Sequence, residues 1–252
     1  MRISIITVVY NRVETIEAAI KSVLSQEYED IEYIVVDGGS TDGTLSIINK
    51  YLDHIHQFIT EKDEGMYDAL NKGIKLATGD IIGVLHADDR FASTDVINRI
   101  VTAYNENKFI DAVYGDIAFV NNSNPLKVVR YYSSSIFKPA LLTWGFIPAH
   151  PTFFCKRTCF QKFGMYKTDF EIAADYELLL RFFKVHKINA KYLPFRFTNM
   201  NLGGKSTNSL LSTIKINREI VRACRENNVN TNYVKLYIRY FYKLKEFLMK
   251  EK

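Results

Sequence analysis

Two adjacent carboxylates, Asp88 and Asp89, are the residues in this chain best suited to do chemistry. They follow residues 81–85, a run of four apolar residues and a glycine that is typical of a buried strand. Unpaired charge is costly inside a strand, so the pair belongs at the strand end, where open α/β sheets bind ligands. From these residues alone, two interpretations remain open: a site for a hard divalent cation, or a cap for the following helix.

The elements before this pair alternate between strands and helices, which predicts a doubly wound, mainly parallel α/β sheet over residues 1–105. The predicted strands cover residues 3–9, 31–36, 55–60 and 81–85. Parallel strands end at one shared edge, so the polar loops that follow them converge on a ligand cleft. The polar residues at these strand ends are Thr7, Tyr10, Asn11, Arg12, Asp37, Gly38, Gly39, Ser40, Asp63, Glu64, Asp88 and Asp89.

The remainder of the chain is less regular. Strands are predicted at residues 112–116, 117–120, 128–132, 151–154 and 190–197, and helices at 137–143, 156–163 and 173–185, followed by two C-terminal helices of which the last spans 233–249. We therefore expect one large domain, residues 1–205, divided at residue 105 into a regular first half and a smaller mixed half. Residues 206–252 form a helical extension.

Composition and charge indicate the compartment and exclude one class of partner. The chain has 252 residues, three cysteines without metal-finger spacing, and no apolar run long enough for a signal peptide or a spanning helix. We therefore expect a cytoplasmic protein. The net charge is +5, of which residues 232–252 carry +4, so the body is nearly neutral and no nucleic-acid partner is expected.

The glycine-rich loop at residues 37–43 matches neither the dinucleotide fingerprint nor the P-loop. Instead, Asp37 stands at a strand end, where its carboxylate can accept hydrogen bonds from a base or a ribose. Gly38 and Gly39 allow the backbone to approach a ligand closely. This loop therefore suits a nucleotide without a Rossmann cofactor site.

Four segments of the sequence follow one another in an order typical of a known protein family: "SIITVVYNR", "VVDGGSTDGT", "DEGMYDALNKGIKLATGD" and "LHADD". Together they resemble the family 2 glycosyltransferases with the GT-A fold, densely over residues 1–90 and more thinly to residue 206 through "HPTFF", "AADYELLLR" and "GGKST". The variant is most similar to bacterial enzymes of capsule, exopolysaccharide or O-antigen synthesis. The resemblance makes residues 1–105 the nucleotide-sugar half and residues 106–205 the acceptor half.

The resemblance also implies roles for individual residues. Thr7, Tyr10, Arg12 and Gly38 would line the nucleotide pocket, Asp37 would read the base, usually uracil, and Asp63 and Asn71 would lie near the donor sugar and ribose. In the metal motif, His86 replaces the usual first carboxylate, Ala87 follows it in the nucleotide pocket, and Asp88 is the principal ligand for Mn²⁺ or Mg²⁺. Asp175 would be the general base of an inverting transfer, although its position also suits a helix N-cap.

Four residues have weaker assignments to the acceptor or the diphosphate: Asp89, His150, Lys205 and Ser206. A lone histidine beside a strand more often makes a structural hydrogen bond than a ligand contact, so His150 favours the structural role, whereas the Gly203–Ser206 loop is equally consistent with a plain turn. In the last helix, apolar residues keep helical spacing between lysines and arginine. This pattern is consistent with packing on the body or with binding to the inner face of the plasma membrane.

We therefore expect an inverting, metal-dependent glycosyltransferase. Its donor would be a nucleotide-diphosphate sugar, with a UDP-sugar favoured, and its acceptor a glycan or a polyprenyl-diphosphate-linked sugar. The alternatives are a catalytically inactive nucleotide-sugar-binding module and a nucleotidyltransferase. Nucleotidyltransferases usually carry a basic, glycine-rich loop after the first strand, where this chain has Tyr10, Asn11 and Arg12.

Overall fold

The computed structural model describes residues 1–121, 124–201 and 210–248. Nine strands are described: β1 Ile3–Val9, β2 Ile31–Asp37, β3 Gln57–Thr60, β4 Ile81–Val84, β5 Asp89–Phe91, β6 Ala112–Asn121, β7 Asn124–Tyr132, β8 Phe154–Lys156 and β9 Ala190–Asn201. Eight α-helices are described: α1 Ile16–Leu24, α2 Thr44–Ile48, α3 Met66–Leu76, α4 Val96–Glu106, α5 Arg157–Phe163, α6 Ala174–Leu180, α7 Leu210–Glu226 and α8 Tyr233–Leu248.

The strands form one sheet in the order β3-β2-β1-β4-β8-β6-β9-β5, and β7 pairs with the outer part of β6. The first four positions are parallel, as are β6 and β9. Antiparallel pairs join β8 to β4 and β6, β7 to β6, and β5 to β9. The predicted fold class, a mainly parallel Rossmann-like sheet with a smaller mixed region and C-terminal helices, is confirmed.

Two hydrophobic cores cover the two faces of this sheet. Successive side chains of a strand point to opposite faces, so Ile5 packs in one core with α1 and α4, and Ile6 packs in the other with α3 and α6. Both isoleucines are fully buried, and each burial contributes roughly 1.5–3 kcal/mol to the free energy of unfolding. The two-sided burial explains why the early strands are continuous apolar runs.

Several predicted elements differ in the structure. The two strands predicted at 112–116 and 117–120 are one strand, β6. The strand predicted at 151–154 is wrong: His150–Thr152 forms a 3₁₀ turn because the Thr152 hydroxyl and amide both bind the carbonyl of Ala149, and β8 begins only at Phe154. The helix predicted at 173–185 ends as α-helix at Leu180 and continues as one π-helical turn, Arg181–Val185.

The helix-cap interpretation of Asp89 is also wrong. Asp89 lies in β5, where it pairs with Met200 of β9, and α4 begins only at Val96. This pairing also explains why β9 extends beyond its predicted end at residue 197, since Thr198 pairs with Phe91. The short edge strand β5 is therefore held by the last part of β9.

Both C-terminal helices pack on the body. α7 contacts α6, and α8 contacts the 3₁₀ turn Pro139–Trp144. Arg239 of α8 is buried and donates hydrogen bonds to the Gly145 carbonyl at 2.7 Å and to Asn217 Oδ1 of α7 at 2.9 Å. Within the described ranges, no helix is long and apolar enough to cross a membrane.

Candidate active site

A cleft of about 670 Å³ opens at the C-terminal ends of β1 and β4. One wall is formed by the loops after β1, β3 and β4, and the other by the segment before α6. The lining residues that carry polar or charged groups are Tyr10, Arg12, Asp63, Glu64, Asp68, His86, Asp88, Asp89, His150, Tyr67, Tyr166, Thr168, Glu171 and Asp175. The convergence predicted from the strand ends is therefore seen for the loops after β1, β3 and β4.

The loop after β1 is locked to the loop after β2. Asn11 has a positive φ of 49° and bonds in both directions: its amide donates to Ser40 Oγ, and its side-chain oxygen accepts from Thr41, both at 2.8 Å. The Arg12 amide donates to Thr44 Oγ1 at 2.8 Å. These bonds hold Tyr10, which is 55% exposed, at the cleft mouth.

Asp37 is fully buried at the end of β2, beside this lock. One carboxylate oxygen, Oδ2, accepts hydrogen bonds from the amides of Gly39 and Ser40, both at 3.0 Å, and from Thr60 Oγ1 at 2.8 Å. The other oxygen, Oδ1, is buried and has no partner. A buried acceptor without a donor is costly, and Asp37 itself is not among the residues that line the cleft.

Gly38 is required by its neighbour rather than by its backbone angle. A Cβ atom at this position would lie 2.2 Å from Asp63 Oδ2, so a side chain here would force the Asp63 carboxylate to move. Asp63 is itself fixed because its Oδ1 accepts the Gly65 amide at 2.9 Å. The end of β2 at Gly38 therefore lies against a carboxylate that lines the cleft.

Asp88 and Asp89 follow β4 through a tight turn, in which the Asp89 amide donates to the His86 carbonyl at 3.0 Å. Both line the cleft, together with Ala87. Asp89 is only 2% exposed, and its Oδ2 has no hydrogen-bond partner. Burial raises the pKa of Asp89 well above its usual value, with the neighbouring charge of Asp88 acting in the same direction.

Asp88 and Asp89 could supply only some of the ligands that a hard divalent cation needs. Among the residues that the structure describes, no three His, Cys, Asp or Glu side chains converge on one point as metal ligands. Mg²⁺ and related ions are commonly held by one or two carboxylates, with phosphate oxygens and water completing the shell. The free Oδ2 of Asp89 and the carboxylate of Asp88 match that donor set.

Deeper in the cleft, His86, His150 and Asp175 form a cluster. His150 Nδ1 lies 3.4 Å from Asp175 Oδ2, and the two imidazole rings meet edge to face with centroids 5.7 Å apart. Burial lowers the pKa of both histidines to about 4, with His150 adding to the effect on His86. Both rings are therefore neutral at physiological pH, and His150 is close enough to orient the Asp175 carboxylate.

Asp175 has the properties of a base poised near neutrality. It is the second residue of α6, so the N-cap interpretation is wrong: the cap position is Ala173, and Asp175 Oδ1 accepts the amide of Tyr176 at 2.7 Å. Burial raises the pKa of Asp175 to about 6, against the opposing effect of the Tyr176 amide. The side chain is 20% exposed, which leaves one edge open to the cleft.

Four predicted site residues, Thr7, Asp37, Gly38 and Asn71, are not among the residues that line the cleft. Thr7 is fully buried, and its hydroxyl accepts the Tyr33 hydroxyl at 3.2 Å. Asn71 uses both ends of its amide on Tyr166, donating to the carbonyl at 2.8 Å and accepting the backbone amide at 3.0 Å. Both side chains support neighbours of the cleft. Lys205 and Ser206 lie outside the described residues.

The second wall of the cleft leaves little signal in the sequence. Tyr67 and Tyr166 stack with ring centroids 5.7 Å apart, and the Tyr67 hydroxyl donates to the Ile172 carbonyl at 2.5 Å. Phe170 is buried beside them and also lines the cleft. Tyr67 falls within a helical stripe, and the other two residues lie in a stretch without periodicity, so only the fold brings them together. Aromatic faces of this kind suit the apolar faces of sugar rings.

Comparison with known proteins agrees with this geometry. The family model for glycosyl transferase family 2 matches residues 4–166. The chain is 28% identical over 211 residues to a PGL/p-HBAD biosynthesis glycosyltransferase of Mycobacterium bovis, covering 82% of this chain and 80% of that protein.

Two solved structures share the fold. One is the mannosyltransferase PcManGT from Pyrobaculum calidifontis in complex with GDP-Man and Mn²⁺, at 19% identity and a TM-score of 0.65, covering 89% of this chain and 63% of that enzyme. The other is S. aureus TarS 1–349 in complex with UDP-GlcNAc, at 15% identity and a TM-score of 0.68, covering 91% and 68%. This chain thus spans less than two thirds of PcManGT. The family match, the GT-A sheet and the cleft at its strand ends together show that the chain belongs to glycosyl transferase family 2.

Proposed function

We propose that this glycosyltransferase moves a sugar from a nucleotide-diphosphate donor to a hydroxyl group, with inversion at the anomeric carbon. The observation that carries the proposal is the placement of Asp175: a carboxylate with a raised pKa shares one cleft with Asp63 and Asp88. A single base of this kind suits a single displacement.

The donor would lie along the first wall. The free Oδ1 of Asp37 suits the imide N–H of uracil, which favours a UDP-sugar, and the TarS relative binds UDP-GlcNAc. PcManGT binds GDP-Man, and a guanine base also offers N–H donors. Arg12 is the one guanidinium among the lining residues that the structure describes, and it can meet the negative charge of the diphosphate.

In the transfer step, Asp175 takes the proton of the acceptor hydroxyl while that oxygen bonds to the anomeric carbon. The bond from the anomeric carbon to the diphosphate oxygen breaks, and the nucleoside diphosphate leaves with the electron pair. His150 Nδ1 lies beside Asp175 Oδ2 and the Tyr176 amide binds Oδ1, so the acceptor hydroxyl would meet the exposed part of this carboxylate. Asp88, with Asp89 beside it, would hold Mn²⁺ or Mg²⁺, which when bound neutralises charge on the departing diphosphate.

The test begins with a thermal-shift screen of UDP- and GDP-sugars in the presence of Mn²⁺, because donor binding raises the melting temperature by mass action. The donor with the largest shift is then used for transfer to a panel of short alkyl glycosides. Asp175→Asn should keep the donor-induced shift and lose transfer by a factor of about 10³. Transfer at the wild-type rate by Asp175→Asn would show that another group is the base.

We also propose that α8 lies against an anionic membrane, as suits an acceptor that is a lipid-linked sugar of a bacterial surface polysaccharide. The helix has two distinct sides over residues 233–240. Leu236 and Arg239 are buried against the body, whereas Val234 is 68% exposed and Tyr237 50% exposed, next to the exposed Tyr233 and Ile238. Apolar side chains on the outer side, with the net charge of +4 over residues 232–252, match an interface with anionic headgroups.

Vesicle sedimentation tests this orientation. The double variant Val234→Ser, Tyr237→Ser removes exposed apolar surface only and should reduce binding to vesicles containing phosphatidylglycerol, with little change in stability. Phe109→Ser is the matched control, since Phe109 is 85% exposed on the loop after α4. Equal vesicle binding by the wild type and the double variant would exclude this surface.

A further inference from the structure

The second wall of the cleft is a loop, residues 164–173, that connects α5 to α6 and ends two residues before Asp175. Side chains from other elements hold its backbone. Arg181 donates to the carbonyls of Gly164 and Met165, Asn71 bonds both backbone groups of Tyr166, and Tyr67 binds the Ile172 carbonyl. The shape of this wall is therefore determined by its partners in the fold.

α7 supplies the largest set of these partners. Four of its charged residues, Lys215, Glu219, Arg222 and Glu226, are spaced by four, three and four, which places them on one side of the helix. They meet the loop in reverse order: Lys215 pairs with Glu171, Glu219 with backbone amides, Arg222 with Asp169, and Glu226 with Lys167. The Arg222 guanidinium also lies 4.3 Å from the centre of the Phe170 ring.

Glu219 differs from the other three because it binds the backbone. Its Oε1 accepts the amide of Glu171 at 3.0 Å, and its Oε2 accepts the amides of Ile172 at 3.0 Å and Ala173 at 2.8 Å. Ala173 is the N-cap residue of α6. One carboxylate thus binds three successive amides directly before the helix that carries Asp175, and hydrogen bonds to a charged acceptor are the stronger kind.

We propose that Glu219 is a positioning residue for catalysis. In this proposal α7 is a strap: it holds the second wall of the cleft, residues 164–173, and the start of α6 in place. The proposal rests on the proposed role of Asp175 as the general base. Glu219 does not line the cleft, and its hydrogen bonds reach the backbone at residues 171–173. A displacement of the base by about 1 Å is enough to lower the rate of transfer roughly 100-fold.

Glu219→Gln tests the strap on the full chain. The amide side chain keeps one acceptor oxygen but turns an NH₂ group toward the backbone amides, so the three-fold contact cannot persist. Glu226→Gln is the matched control: it is the same change on the same helix, but within the described residues Glu226 binds side chains, those of Lys167 and Arg222, and no backbone amide. Should Glu219→Gln fail to fold, Glu219→Asp keeps the charge, shortens the reach by one methylene and is read in the same way.

Two measurements separate the strap from the chemistry. Hydrogen exchange should become at least about tenfold faster at the amides of Glu171, Ile172 and Ala173 in Glu219→Gln and stay unchanged in Glu226→Gln. With the donor found by thermal shift and alkyl glycoside acceptors, kcat should fall roughly 10- to 100-fold while the donor KM stays the same.

Unchanged exchange at the three amides, or an unchanged kcat, would overturn the positioning role. A proportional loss of donor affinity would also overturn it, because that pattern indicates a general structural defect. Failure of the proposed base has a different signature: Asp175→Asn would then transfer sugar normally, while the exchange result for Glu219→Gln would still report the strap.

Discussion

Asp175→Asn should make the protein more stable while it removes transfer. Burial raises the pKa of Asp175 from 3.8 to about 6, so the folded state disfavours the ionised carboxylate at neutral pH. One pKa unit corresponds to about 1.4 kcal/mol, which gives about 3 kcal/mol of destabilisation at pH 8 as an upper bound. A neutral amide of the same shape does not carry this cost.

The sign and the pH window follow from linkage. A carboxylate whose folded pKa is raised destabilises the fold above that pKa, and the destabilisation disappears as the pH falls through about 6 toward 3.8. The same relation gives about 0.5 kcal/mol of destabilisation at pH 4. Because the side chain is 20% exposed, we expect a measured gain of about 1–3 kcal/mol at pH 8 and almost none at pH 4.

Urea unfolding of the wild type and Asp175→Asn at the two pH values measures this difference directly. Asp53→Asn is the control, because Asp53 is an exposed carboxylate outside the cleft. An Asp175→Asn variant that is equally stable, or less stable, at pH 8 would refute the reasoning: the carboxylate would then be stabilised by its surroundings and would not be poised as a base.

Three further results are expected. The rate of transfer should fall about tenfold between pH 7 and pH 5, with a midpoint near pH 6, because only about a tenth of Asp175 is ionised at pH 5. His86 and His150 have pKa values of about 4 and do not titrate in this range. A flat pH–rate profile from 7 to 5 would count against Asp175. Asp88→Ala should lower turnover at least about 100-fold and remove the part of the donor-induced thermal shift that depends on Mn²⁺. Gly38→Ala should raise the donor Kd roughly tenfold, since its Cβ displaces the Asp63 carboxylate at an overpacking cost of about 1–3 kcal/mol; an unchanged Kd in calorimetry would place the donor elsewhere.

The first half of the fold was predictable because each buried strand is a continuous apolar run and each helix has one apolar stripe. In a parallel sheet those two patterns place the loops that follow the strands at one edge. The sequence therefore predicts that Tyr10, Asp63 and Asp88 lie close together. Thr7 shows where this reasoning ends. A strand position gives the direction of a side chain, but not whether a neighbour such as Tyr33 already occupies its hydroxyl.

The second wall could not be predicted for a different reason. Residues 164–173 contain no periodic pattern, and the charges of α7 look like an ordinary solvated helix face. Only the fold shows that Glu219 faces three backbone amides and that Arg222 faces Asp169. Interactions between a side chain and a distant backbone leave no local signal, because the backbone partner can be any residue.

The cleft contains several carboxylates whose ionised form is destabilised by burial. The residue at position 86 limits this destabilisation. Asp89 and Asp175 both have raised pKa values, and a third carboxylate at position 86 would raise the pKa of Asp175 further through like charge. His86 instead is neutral near physiological pH, so it adds no like charge beside Asp175. With its pKa at about 6, Asp175 is then mostly ionised at pH 7, which is the state that a general base requires.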